Sequence, residues 1–412
     1  MRRLRIGSPI WLSHETHHAR RRYPELRGRH DADVVIVGGG ITGAGIAQAF
    51  ADAGINVALL ERDLVGHGST AASTALLMHE TDEEFSALEK RYSRARANRI
   101  WQLSRGAVDE FVATLRRLRI ACDLEERDTV YFTLNPDEVE DLRAECRRRR
   151  RAGFEASWLD STALFESTGI RGEGAIRSKG NAKLDPYRAC VGLLRSAASA
   201  GARIFERSAV RRIDTSHTGV TVRTPHGAIT ARQVVIATGY ATPAFAPLAG
   251  RFRMKHTYVL ATRPVARRDR VRLGLRDVLV WDAERPYHYA RWTRGNRLLL
   301  GGQDRPLLPA RRRKQAFTAN AARLRTYFET LLPPLKHIET ESAWEGMFAT
   351  TPDSLPYIGP HRRYPRHLFA LGYGGNGMTF GFLAARLLLD AFRGVENADL
   401  QLFAFNRLRS QP

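Results

Sequence analysis

Three glycines and one glutamate have the types and spacing that hold a nucleotide. Gly38, Gly40 and Gly43 directly follow the apolar residues 34–37 (VVIV) and open a segment of small and apolar residues at helical spacing. Gly38 permits a tight turn, Gly40 lets the backbone approach a pyrophosphate at a helix N-terminus, and Gly43 allows helix and strand to pack closely. A second apolar run ends at Glu61, where a carboxylate can accept hydrogen bonds from a ribose 2′-hydroxyl. Because an acid there disfavours a 2′-phosphate, this unit predicts NAD or FAD rather than NADP.

A second segment carries side chains suited to holding a substrate. In residues 286–302 (PYHYARWTRGNRLLLGG), strand alternation puts Tyr287, Tyr289 and Arg291 on one face and His288 on the other. Two phenols and a guanidinium can clamp a carboxylate, since arginine offers a planar fork and tyrosine a donor on a rigid ring. An aromatic cross-strand ladder with an exposed arginine is the alternative. His288 could act as a base if the faces are reversed, or have a structural role.

Length and composition bound the class of protein. The chain has 412 residues, enough for two domains and a large core. Its formal net charge of +22 raises the question of nucleic-acid binding. The arginines are spread over almost every segment, however, and the dense runs 147–151 and 311–314 lie on apparent helices, where a solvated face is expected. We therefore expect no specific nucleic-acid partner, and expect the charge to favour solubility and anionic substrates.

Cysteines, histidines and apolar runs further restrict the interpretation. Cys122, Cys146 and Cys190 are far apart and odd in number, which fits a reducing compartment and predicts neither disulfides nor a metal site. The N-terminal histidines have no acid or cysteine near them to complete a metal shell, so no metal is expected; they are His14, His17 and His18. No apolar run is long enough to span a bilayer, and the first residues lack a signal-peptide core. A cytoplasmic protein without a membrane span is expected.

The order of elements predicts an α/β fold in which one cofactor domain is assembled from separated segments. Residues 81–119 show the periodicity of a long helix interrupted near Gly106, and residues 231–240 (ARQVVIATGY) give another buried strand. Residues 254–305 alternate as an antiparallel sheet does. We predict a Rossmann-like domain with an inserted α+β substrate domain that contains an antiparallel sheet. The expected boundaries are 1–30 for an N-terminal arm; 31–90, 170–250 and 341–412 for the cofactor domain; and 91–169 and 251–340 for the substrate domain.

Four segments in order carry a family resemblance. They are the glycine motif with Glu61, residues 65–77 (VGHGSTAASTALL), residues 236–240 (IATGY), and residues 351–360 (TPDSLPYIGP) followed by 372–381 (GYGGNGMTFG). The chain resembles the FAD-dependent oxidoreductases of the D-amino-acid oxidase superfamily, in the branch of glycine and sarcosine oxidases and γ-glutamylputrescine oxidase. The resemblance covers nearly the whole chain beyond the first thirty or so residues. It implies that the cofactor is FAD.

The resemblance also implies which residues contact FAD. The loop after the acid would lie along the pyrophosphate and flavin, Val210 would make a backbone contact with adenine, and Gly239 would border the pyrophosphate. The C-terminal glycine loop would cover the isoalloxazine edge, where a helix start can stabilise negative charge on the reduced ring. Tyr258 is a further candidate for the substrate pocket, because relatives place an aromatic or polar residue there. The remaining implied cofactor contacts are Ile41, Thr42, Arg62, Gly68, Ser69, Thr70, Ala72, Ser73, Thr238, Gly374, Gly375, Asn376, Gly377, Met378 and Thr379.

The departures from the family pattern concern the substrate and the flavin linkage. Many relatives have GASGRNGG where this chain has GSTAASTALL. Sarcosine oxidases carry a flavin-linking cysteine in the region of Gly346, and no cysteine lies nearby here, so a dissociable FAD is expected. D-amino-acid oxidases have a carboxylate-binding arginine near the segment that reads ATTPDSLP here, and its absence argues against simple D-amino acids held in that way.

The activity that the resemblance implies is oxidation of the C–N bond of an amine or amino acid. A hydride equivalent passes to flavin N5, an imine forms, and oxygen or a membrane quinone accepts the electrons. The sequence favours an amine that bears a carboxylate, bound by Arg291, and assigns Asp353 to holding the backbone near the flavin. Three alternatives stay open: a FAD-dependent 2-hydroxy-acid oxidase or dehydrogenase, a tRNA-associated flavoprotein, and a non-catalytic flavin-binding subunit.

Overall fold

Two β-sheets with helices packed against them form the described part of the chain, residues 6–13 and 23–408, in this computed structural model. The predicted α/β class with a discontinuous Rossmann-like half and a second, mainly antiparallel sheet is confirmed. His14, His17 and His18 lie outside the described residues. Within the described ranges, no helix is both long and apolar enough to cross a membrane.

The element bounds are as follows. The strands are β1 (Gly28–Val37), β2 (Val57–Leu60), β3 (Leu76–Leu77), β4 (Glu125–Thr133), β5 (Ala156–Asp160), β6 (Gly174–Lys183), β7 (Arg203–Phe205), β8 (Arg212–Thr215), β9 (Val220–Arg223), β10 (Gly227–Gly239), β11 (Arg253–Thr262), β12 (Leu279–Asp282), β13 (Tyr289–Trp292), β14 (Leu298–Pro306), β15 (Thr340–Thr350), β16 (Tyr357–His361) and β17 (Tyr364–Leu371). The α-helices are α1 (Ile10–Ser13), α2 (Ile41–Asp52), α3 (Ser69–Ala72), α4 (Phe85–Arg91), α5 (Arg94–Arg117), α6 (Val139–Arg151), α7 (Ser161–Thr168), α8 (Pro186–Ser199), α9 (Ala246–Ala249), α10 (Arg267–Arg272), α11 (Ala310–Leu331) and α12 (Gly377–Arg393). Short 3₁₀ turns cover Pro136–Glu138, Pro243–Phe245, Pro333–Leu335 and Ala398–Phe403.

The first sheet is built around a parallel core in the order β17-β10-β1-β2-β7. β16 pairs antiparallel with β17 at one edge, and β9 and β8 extend from the N-terminal part of β10. Val34 and Ile36 pack in the cluster that contains α2, α8 and α12, whereas Val35 packs on the opposite face with Phe245 and Phe369. All three strand residues are fully buried, because both faces of the sheet are covered, as the apolar run predicted.

The helical region after β3 is divided differently from the prediction. The helix break falls at Tyr92 and Ser93, between α4 and α5, while Gly106 lies inside α5. Ser93 caps α5, since its hydroxyl accepts a hydrogen bond of 3.3 Å from the amide of Arg96. The glycine was a misleading signal, because a helix tolerates one glycine at a modest cost while a capping serine defines a new start.

The second sheet has the order β15-β11-β14-β13-β12-β4-β6-β3, with β5 paired to β6. It is antiparallel except for the parallel pair β4 and β12. α11 packs on one face and contributes Leu324 and Phe328 to a core cluster with β11 and β14. Three strands that lie within the ranges predicted for the cofactor domain, β3, β6 and β15, pair within this second sheet. Conversely, α5 packs against α12 beside the first sheet.

Candidate active site

A cavity of about 780 Å³ lies between the two sheets. On one side it meets the carboxyl ends of β1, β2 and β10 through Val37, Leu60 and Ala237. The carboxyl edge of a parallel sheet is where open α/β folds bind their ligands. On the other side, the neighbouring strands β11 to β15 of the second sheet form the wall, with residues that include Thr257, Trp281, Tyr289, Asp304 and Met347. The cavity therefore joins the predicted nucleotide site to the predicted substrate sheet.

The glycine motif makes the close approaches that its spacing predicts. Gly38 has φ +114°, and a Cβ on Gly43 would lie 1.9 Å from the carbonyl oxygen of Gly38, so neither position accepts a side chain without movement. A Cβ on Gly40 would lie 3.2 Å from Thr70 Oγ1. The Ile41 amide donates a hydrogen bond of 2.9 Å to this same Thr70 oxygen. Gly43 does not line the cavity; its role is the packing of α2 on β1.

Glu61 is fixed at the edge of the cavity by two backbone amides. Its Oε2 accepts a hydrogen bond of 2.7 Å from Gly39, and its Oε1 accepts one of 2.9 Å from Asp63. Burial raises the pKa of Glu61, and these two amides together with Arg62 oppose the rise. Each carboxylate oxygen has a second lone pair, so this geometry leaves acceptor capacity for a ribose hydroxyl.

The loop after Glu61 is held between the sheets. The Ser69 hydroxyl donates to the Met347 carbonyl at 2.7 Å, and the Trp344 indole donates to the Ala72 carbonyl at 2.9 Å. Met347 and Trp344 both belong to β15, so the second sheet fixes the position of α3. A Cβ on Gly346 would lie 3.0 Å from the Ala72 Cβ, which shows how closely strand and loop approach.

The C-terminal glycine loop is anchored to residues 78–82. The Gly375 amide donates to Asp82 Oδ2 at 2.7 Å, and the Asn376 side-chain amide donates to the Glu80 carbonyl at 2.9 Å. The Thr379 hydroxyl donates to the Met78 carbonyl at 2.6 Å. Thr379 was predicted to contact the cofactor, but it does not line the cavity, because its hydroxyl is used to anchor α12.

The wall of the second sheet presents neutral phenols to the cavity. Tyr287 and Tyr289 lie with ring centroids 5.9 Å apart, and the Tyr289 and Thr257 hydroxyls share a hydrogen bond of 3.1 Å. Burial raises the pKa of both tyrosines above its ordinary value, with Asp304 and Asp82 contributing in the same direction. Both hydroxyls therefore stay protonated at neutral pH and can donate hydrogen bonds.

Arg291 was predicted to reach the substrate, and the structure places it elsewhere. Its Nε donates to the Thr74 carbonyl and an Nη donates to the Leu184 carbonyl at 2.7 Å. The guanidinium lies 5.1 Å from the ring centroid of Trp11, and burial lowers the pKa of Arg291 to about 10. Arg291 does not line the cavity; its guanidinium donates to backbone carbonyls instead.

Tyr258 and His288 also point away from the cavity. Tyr258 is fully buried in the core beneath α11, with its ring centroid 6.5 Å from that of Phe317. The position that the family resemblance implied is therefore displaced by one residue, since Thr257 lines the cavity and Tyr258 does not. His288 lies 2.9 Å from Asp282 through Nδ1 and stacks on Tyr327, which gives it a structural role.

The other predicted residues line the cavity, and several that were not predicted join them. The predicted ones are Gly38, Gly40, Ile41, Thr42, Glu61, Arg62, Gly68, Ser69, Thr70, Ala72, Ser73, Val210, Thr238, Gly239, Gly374, Gly375, Asn376, Gly377, Met378, Tyr287 and Tyr289. Those that sequence reasoning missed include Glu80, Asp82, Thr257, Trp281, Asp304 and Met347. For Asp304, alternation along β14 was an available signal; nothing in the local sequence marked Asp82.

Fold and cavity together define a dinucleotide-dependent oxidoreductase: a glycine turn with a terminal acid at one sheet, and a wall of hydrogen-bonding side chains at the other. The chain belongs to the family described as FAD dependent oxidoreductase, whose model matches residues 33–391. Its cofactor is accordingly FAD. The residues present fit this group, since Gly38 and Gly40 border the cavity without side chains and leave room for a backbone-to-pyrophosphate contact, and the cavity continues to the second sheet.

Individual relatives are similar along most of their length. Gamma-glutamylputrescine oxidoreductase of Escherichia coli (strain K12) is 27% identical over 367 residues, which cover 88% of this chain and 84% of the relative. Glycine oxidase of Geobacillus kaustophilus is 27% identical over 388 residues, covering 92% of this chain and 97% of the relative. The crystal structure of glycine oxidase from the same organism superposes with a TM-score of 0.78 at 25% identity, covering 92% and 99% of the two chains.

Proposed function

We propose that this FAD-dependent oxidoreductase oxidises the carbon–nitrogen bond of a small amine to an imine. The observation that carries the proposal is the single cavity that joins the glycine turn and Glu61 to Tyr287 and Tyr289. Relatives named glycine oxidase and gamma-glutamylputrescine oxidoreductase support a nitrogen-bearing substrate. When bound, FAD supplies the capacity to accept a hydride equivalent from the carbon next to nitrogen.

FAD would be held by the residues that line the first-sheet side of the cavity. Glu61 would accept from the ribose, Gly40 and Thr70 would border the pyrophosphate, and the backbone of Val210 would meet adenine. α12 begins at Gly377, and the positive end of its dipole favours negative charge on the reduced ring. We further propose that FAD is dissociable, because none of the described cysteines lines the cavity.

Tyr287 and Tyr289 would orient the substrate. Their hydroxyls remain protonated, so they can donate to a substrate acceptor or accept from an amine N–H. Trp281, Met347 and Phe348 provide an apolar surround that limits water. The imine formed would then leave for hydrolysis by water.

Anaerobic reduction of the purified flavoprotein tests the proposal. A panel of primary amines, secondary amines, amino acids and 2-hydroxy acids is mixed with the protein, and loss of oxidised flavin absorbance is followed. We expect reduction by amines or amino acids. Reduction by 2-hydroxy acids alone would replace this proposal by the 2-hydroxy-acid alternative, and no reduction by any compound would favour a non-catalytic flavin subunit.

Tyr289→Phe tests the positioning role within the same assay. We expect the rate of flavin reduction to fall about tenfold, the effect of losing one hydrogen bond worth about 1.4 kcal/mol in the transition state. Tyr364→Phe, at the start of β17 and outside the cavity lining, is the matched control. Equal rates in the two variants would show that the Tyr289 hydroxyl does not act on the substrate.

A further inference from the structure

Two aspartates that the sequence did not single out line the cavity close enough to interact, since the charge of Asp304 raises the pKa of Asp82. Asp82 comes from the segment after β3, and Asp304 from β14. A Cβ on Gly375 would lie 2.7 Å from Asp82 Oδ1 and 2.9 Å from the Tyr287 hydroxyl, so carboxylate and phenol flank one point. Asp304 Oδ1 is buried and has no hydrogen-bond partner among the described residues. Two carboxyl groups therefore border the substrate side of the cavity.

Within the described part of the chain, no basic side chain lines this side of the cavity. Among the described residues, the arginines and histidine that line the cavity are Arg62, His67, Arg211 and Arg212. All of them belong to first-sheet segments, next to Glu61 or Val210. Arg291, which the sequence placed here, does not line the cavity and donates instead to the backbone carbonyls of Thr74 and Leu184.

Nearby charges outside the lining compensate the two aspartates only in part. Hydrogen bonds from neutral groups lower the two pKa values most, from the Gly375 amide for Asp82 and from the Thr257 hydroxyl for Asp304. Lys255 lowers the pKa of both aspartates but does not line the cavity, and His288 acts on Asp304 in the same direction. Burial is the larger effect and raises the pKa of each. The positive charges near Asp82 and Asp304 therefore do not offset the cost of burying the two carboxylates.

Glu80, another acid in the lining, has neighbouring positive charges and hydrogen-bond donors that compensate its negative charge. Its Oε2 lies 3.5 Å from His79 Nδ1, and its Oε1 accepts hydrogen bonds from Thr129 and Asn181. Arg149 and His79 hold the pKa of Glu80 below its ordinary value despite complete burial. Asp82 and Asp304, in contrast, have raised pKa values and no arginine among the causes that act on them.

We propose that the substrate is a cationic amine without an α-carboxylate, that its ammonium group binds between Asp82 and Asp304, and that one of these carboxylates takes a proton from the bound ammonium, so that the neutral amine can then lose a hydride equivalent to FAD. This rests on the proposed function. An ammonium would supply the missing charge, and Trp281 and Tyr287 offer aromatic surfaces that favour a cation. An α-carboxylate would add negative charge next to two carboxyl groups whose ionisation burial already opposes, and no arginine among the described lining residues on this side could meet it.

Pairs of compounds that differ only by an α-carboxylate test the proposal. Suitable pairs are putrescine with ornithine, dimethylamine with sarcosine, and ethylamine with alanine. In anaerobic flavin reduction we expect at least one amine to give a kcat/KM at least tenfold above that of its amino acid partner. Higher values for the amino acids would overturn this inference while leaving amine oxidation itself in place. Reduction by 2-hydroxy acids alone would instead remove the proposed function.

A non-oxidisable cation gives a readout that does not depend on turnover. Tetramethylammonium and acetate are titrated separately into the FAD-bound protein, and the perturbation of the flavin spectrum gives each Kd. We expect tetramethylammonium to bind at least tenfold more tightly than acetate. Tighter binding of acetate, or no binding of tetramethylammonium, would overturn the inference.

Charge-neutralising variants assign the effect to the pair. Asp304→Asn and Asp82→Asn are expected to raise the Kd for tetramethylammonium at least tenfold and to raise KM for the amine similarly. Asp137→Asn, an exposed acid far along the chain from the cavity segments, should leave both unchanged. Bound flavin content and the melting temperature confirm folding of each variant. An unchanged Kd in a folded, FAD-bound Asp304→Asn protein contradicts the proposed site.

Discussion

Asp82 is the residue whose ionisation the structure opposes most clearly. Burial raises its pKa from 3.8 to about 7, the charges of Asp304 and Glu83 add to the rise, and the Gly375 amide and Lys255 oppose it. Between these two pKa values the folded protein keeps a proton that the unfolded chain has lost. The folded state therefore binds more protons, and this group makes the protein less stable as the pH rises from about 4 to about 7.

Asp82→Asn should remove that dependence. We compare the free energy of unfolding of Asp82→Asn with that of the unmodified protein, both without FAD. We expect the variant's value minus the unmodified protein's value to increase by about 2–3 kcal/mol between about pH 5 and about pH 8. Urea unfolding at the two pH values measures this difference. Asp137→Asn is the control and should show no such growth, because its carboxyl is exposed. A difference for Asp82→Asn that is the same at both pH values would show that the carboxyl ionises normally in the folded state.

At this scale, local motifs were predictable and tertiary choices were not. Glu61 and Gly40 belong to one strand-turn-helix-strand unit, so their spacing in the sequence fixes their positions in space. The direction of Arg291 depends on the carbonyls of Thr74 and Leu184, which are 217 and 107 residues away in the chain. The lack of positive charge around Asp82 likewise depends on the fold, because among the described residues the basic side chains distant in the sequence do not line that part of the cavity.

At the scale of elements, two helical glycines have opposite surroundings. Gly43 lies in the first turn of α2, where an added Cβ would be 1.9 Å from the Gly38 carbonyl oxygen and 3.5 Å from Ile36. Gly106 lies inside α5 with no atom within 4 Å of an added Cβ. The same substitution should therefore have opposite effects in the two helices.

Gly43→Ala is expected to destabilise the protein by about 1–3 kcal/mol, because α2 must move away from β1. The same movement would displace the helix start beside the pyrophosphate, so its affinity for FAD should fall as well. Gly106→Ala should stabilise the protein by about 0.5–1 kcal/mol through helix propensity. Urea unfolding and FAD titration check both variants. Unaltered FAD binding in Gly43→Ala would mean that the turn is not the phosphate site.

Some element positions depend on partners that no local pattern contains. Asp353 was expected to hold the backbone near the flavin, and the structure shows how the surrounding turn is fixed. Arg407 donates to both of its oxygens, at 2.7 and 2.8 Å, and also to the Leu355 carbonyl. The pair is almost completely buried, and Arg407 holds the pKa of Asp353 below its ordinary value. A partner 54 residues later, next to the chain terminus, could not be inferred from the turn itself.

At the scale of the whole molecule, where the net charge is +22, the two dense basic runs expose less positive charge than the sequence suggests. Each dense basic run has a member that turns inward. Arg149 is 1% exposed and binds Glu145 at 2.8 Å, and Arg313 pairs with the buried Glu345. The runs were expected to be solvated faces, and this is wrong for these two arginines. A continuous basic stripe, the usual mark of a nucleic-acid surface, is thereby interrupted in both helices.

The cavity couples the stability of both sheets to FAD, because residues from each sheet line it. FAD at about one hundred times its Kd should add about 2.7 kcal/mol to the free energy of unfolding, which corresponds to about 3 °C in Tm for a chain of this size. FMN lacks the adenosine half that Glu61 and Val210 would hold, so the same concentration of FMN should give a smaller shift. Because the linkage is proposed to be non-covalent, acid precipitation should leave a colourless pellet and all flavin in the supernatant. Equal shifts with FMN and FAD would contradict the assignment of the first-sheet side to the adenosine half, and a yellow pellet would contradict a dissociable cofactor.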